Sequence, residues 1–353
     1  MKVYENSLYI EDIKKAAALD LPWERLQDKS VLISGATGLV GSCFIDLIME
    51  RNISQGMNCK VYALGRNAQK AKDRFGYCLD SSLFCFIAAD INKPLVREDI
   101  GKVDFVLHLA SNTHPVAYAT DPIGTVTTNI IGTYNMLDFA VDHQAERMAF
   151  ASSNEIYGEN RGDVEKFDED YCGYINSNTM RAGYPESKRC GEALCQAYIR
   201  QKGLDVVIPR LTRSYGPTML MSDTKAISQF IRKGIAGEDI VLKSEGTQYY
   251  SYTYIIDAVT GLMAVLLMGE CGEAYNISDD ASDIMLKDLA GIIADQAGRK
   301  VVFELPDAVE AAGFSKATKA RLDSAKINKL GWKAAYDIKE GLERTIEILK
   351  SLN

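Results

Sequence analysis

Tyr184-Pro185-Glu186-Ser187-Lys188 sets a phenol and an ammonium at positions i and i+4. On a helix both project from one face. An ammonium close to a phenol favours the phenolate and lowers its pKa. Tyr184, with Lys188 beside it, is therefore expected to act as a general base near neutral pH. Ser153 follows a strand-like run in Ala151-Ser152-Ser153-Asn154-Glu155-Ile156-Tyr157-Gly158. Its hydroxyl is expected to hydrogen-bond the substrate oxygen that Tyr184 deprotonates; the alternative is a turn residue at a strand end.

Well upstream lies Gly35-Ala36-Thr37-Gly38-Leu39-Val40-Gly41. Glycines there let the backbone turn sharply and approach a pyrophosphate, and a following helix offers free N–H groups and a favourable dipole. After the second strand an NAD site usually carries Asp or Glu for the ribose hydroxyls. This chain has Leu64-Gly65-Arg66-Asn67 instead. Arg66 either pairs with a 2′-phosphate, favouring NADP, or is a solvated cation. NAD is the expected cofactor, with NADP left open.

The elements that must position these groups alternate. Strands are expected at Val31–Ser34, Cys59–Leu64, Leu83–Ala89, Val103–Leu109, Arg147–Ser152 and Val206–Leu211. Helices are expected at Leu39–Arg51, Gly124–Val141 and Pro185–Gln201. That alternation predicts an α/β fold, a Rossmann-type doubly wound parallel sheet. After Gly216 the pattern loosens into helical (226–236, 257–268), strand-like (240–243) and polar (306–319) stretches and a last helix near 338–352. We read a helical extension over 1–28, a dinucleotide-binding domain over 29–212, and a smaller, mainly substrate-binding C-terminal α/β lobe over 213–353, the lobes interdigitating.

Composition narrows the partners. A formal charge of −8 argues against nucleic acid, whose phosphates need clustered Lys and Arg. No apolar run reaches the length of a membrane span, and the first residues carry no signal-peptide stretch, so a cytoplasmic location is expected. The eight cysteines form no C-x-x-C pair and read as reduced thiols. With three histidines (His108, His114 and His143), no metal site is expected.

Taken together, the glycine loop, Ser153, Tyr184 and Lys188 resemble the extended short-chain dehydrogenases, the NAD-dependent epimerase/dehydratase family, over nearly the whole chain from residue 29. Resemblance extends to Asp90-Ile91, His108-Leu109-Ala110-Ser111, Asn129 and Leu330-Gly331-Trp332. It implies that Asp90, Ile91, Leu109, Ala110, Ser111 and Asn129, with Tyr184 and Lys188, line the cofactor. It further implies a nucleotide-sugar between the lobes and a homodimer formed through the Gly124–Val141 and Pro185–Gln201 helices. Within the family the chain is most similar to the UDP-glucuronate decarboxylases, in the segment from His108 to Thr133 and in Glu169-Asp170-Tyr171, Arg181-Ala182-Gly183-Tyr184 and Ser153-x-Glu155. The implied chemistry is oxidation at sugar carbon 4, loss of carbon dioxide from the β-keto acid, and re-reduction, with Glu155 positioning the ring or handling protons. The alternatives are a 4-epimerase, a 4,6-dehydratase or a reductase; a non-catalytic cofactor-binding protein is a further rival. A dehydratase of this family carries an adjacent Asp-Glu pair, whereas Asn154 stands at the first position and has no acidic proton.

Some positions depart from the decarboxylase pattern. Arg213 replaces an Asn, while Thr218 and Tyr250 stand where arginines are usual. Arg213 and Arg321 are candidate replacements, and Asn154, Arg181 and Tyr250 complete the expected substrate site. The tyrosines at 249–254 either stack on a base or sugar or form a half-buried strand.

Overall fold

Short apolar strands and longer helices alternate in this computed structural model, which describes residues 3–97, 99–113, 115–304 and 318–352. His114 and most of the polar segment 306–319 lie outside the described residues. The first strands are β1 (Ser30–Ser34), β2 (Lys60–Gly65), β3 (Phe84–Ala88), β4 (Phe105–His108), β5 (Arg147–Phe150), β6 (Ser152–Ser153) and β7 (Val206–Leu211). Together with β11 (Ala274–Ile277) they form a parallel sheet in the order β11-β7-β5-β4-β1-β2-β3, with β6 also on β7. Val31 lies opposite Val61 on one side and Phe105 on the other. Chain order reverses between β1 and β4, which opens a crevice at the carboxyl ends of the strands. Sequence order and sheet order separate at β11, which pairs with β7 although it lies far beyond residue 213.

Both faces of the sheet are covered, as near-continuous apolar strands require. Helix α1 spans Ser7–Ala17, α2 Leu39–Gln55, α3 Ala68–Phe75, α4 Pro115–Thr120, α5 Pro122–Asp142, α6 Gly183–Lys202, α7 Ala226–Ala236, α8 Ile255–Met268 and α9 Leu286–Ala297. Helix α2 is buried from Gly41 to Glu50 because α1 and α8 pack against it from outside the sheet. It ends at Gly56, whose φ of 61° suits glycine. On the other face α5 packs along α6. Helix α5 starts two residues before the expected Gly124 because Asp121 accepts the Gly124 N–H at 3.0 Å and Pro122 fits the first turn.

The smaller elements gather beyond the strand ends. Strand β10 (Tyr249–Tyr254) pairs with β8 (Arg213–Tyr215), β12 (Asp283–Met285) and β14 (Lys319–Ala320). Strands β9 (Ile240–Leu242) and β13 (Val301–Phe303) form a separate parallel pair.

Two buried aspartates fasten α1. Asp46 on α2 accepts hydroxyls from Tyr9 (2.6 Å) and Tyr77 (2.7 Å) and pairs with Arg74. Asp12 on α1 accepts hydroxyls from Tyr254 (2.8 Å) and Tyr336 (2.6 Å) and pairs with Arg344 of the C-terminal helix Ile338–Ser351. Each buried carboxylate is matched by a cation and two donors, which is what burial of a charge demands.

Candidate active site

The turn after β1 is shaped by what a side chain would strike. Gly35 adopts φ +70°, and a Cβ there would lie 2.8 Å from the Ala110 nitrogen. A Cβ on Gly41 would lie 2.5 Å from the Gly35 carbonyl oxygen. Only glycine lets the loop fold this tightly onto β4 and α2. Helix α2 opens at Gly38 with no side chain capping it, so its first amides face the crevice edge with Thr37, Leu39 and Val40 around them. This cradle fits a pyrophosphate.

Ser34 locks the neighbouring loop. Its hydroxyl accepts from the Leu109 and Ala110 amides (3.1 and 3.2 Å) and shares a hydrogen with His108 Nδ1 at 2.7 Å. His108 Nε2 meets Thr133 Oγ1 at 3.2 Å. Burial, then the nearby Lys188, pushes the His108 imidazolium down to about 3, so the ring is neutral. Ser111 donates to Asn129 Oδ1 (2.7 Å), Asn129 Nδ2 donates to Ser187 Oγ (2.9 Å), and Ser187 donates to the Tyr184 carbonyl (2.9 Å). Both ends of the amide of Asn129, a residue expected to line a cofactor, brace the loop after β4 against α6.

Helix α6 puts Tyr184 and Lys188 on its buried face. Lys188 Nζ donates to the Ala151 carbonyl at 2.7 Å and lies 4.9 Å from the Phe150 ring centre. Burial lowers its ammonium to about 8. The expected lowering of the Tyr184 pKa is not what this environment produces. Burial and then the Glu155 charge push the phenol well up, while the Ser153 hydroxyl, Arg181 and the Ser111 hydroxyl oppose them. Desolvation outweighs Arg181 and the two hydroxyls, so these protein groups by themselves favour the neutral phenol.

Beyond Tyr184 the site continues as a charged and aromatic wall. Glu155, in the turn after β6, pairs with Arg181 at 2.8 Å. The Arg181 guanidinium lies 4.8 Å from the Tyr118 ring, which packs 5.0 Å from Tyr184. Burial raises the Tyr250 pKa against Arg213, whose guanidinium stacks 3.6 Å above its ring; Glu155 and Arg181 act on the same phenol. Asn154 is buried beside Glu155. Sequence reading identified Glu155 and Arg181 separately and missed both their pairing and the packing of Tyr118 on Tyr184. Tyr118 lies within the His108–Thr133 segment that carries the resemblance.

Arg321 is not part of this group. Pairing of β14 with β10 carries Arg321 to the side of Tyr249, opposite Tyr250. There it pairs with Glu165 at 2.9 Å and lies 4.5 Å from the Tyr249 ring. Arg66 is exposed at the end of β2, and Asp90 and Ile91 follow β3, with Ile91 packed against Gly132. Among the described residues no cluster of His, Cys, Asp or Glu is arranged to hold a metal ion, and no helix is long and apolar enough to cross a membrane.

The sequence model of the NAD dependent epimerase/dehydratase family matches residues 31–278. UDP-glucuronic acid decarboxylase 1 of Danio rerio is 32% identical over 322 residues, spanning 90% of this chain and 72% of that protein. UDP-glucuronic acid decarboxylase 5 of Arabidopsis thaliana is 31% identical, spanning 88% and 86%. Among solved structures, a dTDP-glucose 4,6-dehydratase from Streptomyces venezuelae with NAD bound superposes with a TM-score of 0.78 at 25% identity, over 90% of this chain and 96% of that one. A UDP-glucuronic acid 4-epimerase from Bacillus cereus, in complex with UDP-glucuronic acid and NAD, reaches 0.77 at 22% identity over 92% and 100%, a likeness of fold.

Proposed function

The chain belongs to the NAD dependent epimerase/dehydratase family, and from that premise we propose that it is a nucleotide-sugar decarboxylase acting on a UDP-glucuronate-like substrate. The observation that carries this reading is Asn154-Glu155, with Glu155 paired to Arg181 beside Tyr184. The proposed location is cytoplasmic, in keeping with eight free cysteines.

In this reading the Gly35–Gly41 cradle holds the dinucleotide pyrophosphate, and the sugar lies between the part centred on 29–212 and the lobe drawn mainly from 213–353. Oxidised NAD supplies a hydride acceptor and a positive charge next to the phenol. Tyr184, with Ser153 on the same oxygen, takes the proton from the hydroxyl at sugar carbon 4. Lys188 fixes the helix face through Ala151 and, with the charge the bound cofactor would bring, favours loss of the Tyr184 proton to solvent; the resulting phenolate accepts the sugar proton and is a neutral phenol once that proton has moved. Arg181 and Arg213 offer charge-assisted hydrogen bonds to substrate anions. Glu155 holds Arg181 in place and faces the ring that becomes a β-keto acid. Loss of carbon dioxide leaves an enolate whose carbon 5 takes a proton from solvent, and the proton on Tyr184 goes back to the carbon-4 oxygen in the return step.

Mass spectrometry of UDP-glucuronate incubated with the protein and NAD tests this. Loss of one carbon dioxide is expected. Loss of water or an isomeric product from another nucleotide-sugar would replace the decarboxylase reading with a dehydratase or an epimerase. We also propose a homodimer through α5 and α6; Ile123, Ile131 and Tyr134 are exposed along α5. Sedimentation showing only monomer at micromolar concentration would refute it.

A further inference from the structure

The end of β2 has an unusual charge pattern for a site that takes unphosphorylated ribose. Leu64 accepts the Ala36 N–H at 3.2 Å, and Gly65 accepts the Ala89 N–H at 3.1 Å. The residues that follow Gly65 therefore stand between the glycine loop and the segment containing Asp90. A ribose with two free hydroxyls usually meets a carboxylate acceptor there. The positions are instead Gly65, Arg66 and Asn67. The Asn67 side-chain oxygen already accepts from the Lys70 N–H at 2.9 Å, where it caps α3.

Two cations, four residues apart, flank the Asn67 cap here. Arg66 is exposed, and Lys70, in the first turn of α3, is half-buried and feels the Arg66 charge. Nearby charges of α3 are otherwise engaged: Asp73 accepts from Gln69 at 2.7 Å, and Arg74 turns to Asp46. Among the described residues no carboxylate is recorded against Arg66 or the Lys70 ammonium. Two like charges held together repel, and a dianion between them converts that repulsion into two attractions.

We propose that Arg66 and Lys70 form a recognition site for the 2′-phosphate of NADP, so that this chain binds NADP in preference to NAD. The inference rests on the dinucleotide site assigned above and concerns only its adenosine end. Both cofactors carry the same nicotinamide, so the chemistry at Tyr184 is unchanged. Arg66 supplies a planar fork for phosphate oxygens and Lys70 a point charge.

Calorimetric titration of the full chain with NADP, NAD, 2′,5′-ADP and 5′-AMP tests this, after any nucleotide that co-purifies has been identified by mass spectrometry and removed. Expected are NADP binding about ten- to a hundred-fold tighter than NAD, the range one charge-assisted contact supplies, and 2′,5′-ADP binding tighter than 5′-AMP. Arg66→Asp should abolish the preference, and Lys70→Ala should weaken NADP alone. Arg66 is exposed, so both variants are checked for unchanged thermal unfolding before titration. NAD binding as tightly as NADP to the unaltered chain overturns the proposal while leaving the dinucleotide site standing. Failure to bind either cofactor overturns both.

Discussion

Replacing Lys188 by Met separates what the buried ammonium does for function from what it costs the fold. The side chain is 3% exposed, and burial lowers its pKa from 10.5 to about 8. Below about pH 8 it is protonated in both the folded and unfolded states, and the full desolvation cost falls on the folded protein. Between about pH 8 and 10.5 the unfolded state binds more protons, so stability rises with pH by up to about 1.4 kcal/mol per unit. The total comes to roughly 3 kcal/mol. Methionine fills a similar volume without the charge, but leaves the Ala151 carbonyl without its 2.7 Å donor, at a cost of about 1–3 kcal/mol. The variant should therefore be at least as stable as the parent at pH 7, and its advantage should shrink by roughly 3 kcal/mol as pH rises to 10.5. Urea unfolding of both proteins across this range measures the difference, in which other titrating groups cancel. Parallel stability curves would refute the reasoning, because they would mean that Lys188 is not desolvated. Turnover of the variant should be lost throughout.

Three further outcomes are expected. Tyr184→Phe should lower turnover by about 10²–10⁴-fold while leaving dinucleotide binding intact, as titration and steady-state kinetics would show. Gly35→Ala forces a side chain into φ +70° and against the Ala110 nitrogen, so dinucleotide binding should be abolished in the same titration; retained binding would contradict the cradle. Asp46→Ala strands Arg74 and two tyrosine hydroxyls, and should lower unfolding free energy by about 3–5 kcal/mol in denaturant titration, where a loss under 1 kcal/mol would show the clamp to be unimportant.

The parts of the site that rest on short-range rules were legible in the sequence. The glycine loop is written in backbone sterics, and Tyr184 and Lys188 share a face because of helical spacing. Strands β1, β2 and β7 were legible because a doubly covered sheet needs continuous apolar runs. What was not legible depends on where distant segments meet. Glu155 and Arg181 are 26 residues apart, and only the packing of α6 beside β6 brings them together. The side of β10 on which Arg321 lies depends on the register of β14, which no local pattern sets. For Tyr184, helical spacing reveals the neighbouring Lys188 but not the desolvation around the phenol.

The fastening of α1 has a consequence for how the chain is made. Tyr336 and Arg344, which satisfy Asp12, lie 324 and 332 residues downstream of it. Closing so long a loop is slow, and these partners leave the ribosome long after α1 does. Helix α1 therefore emerges well before the groups that complete its fastening. Until β10 and α8 follow, its apolar face, with Tyr9, Ile13, Ala16 and Ala17, has only α2 to cover it, and Asp12 must stay hydrated. Until Tyr336 and Arg344 arrive as well, α1 is a door on one hinge.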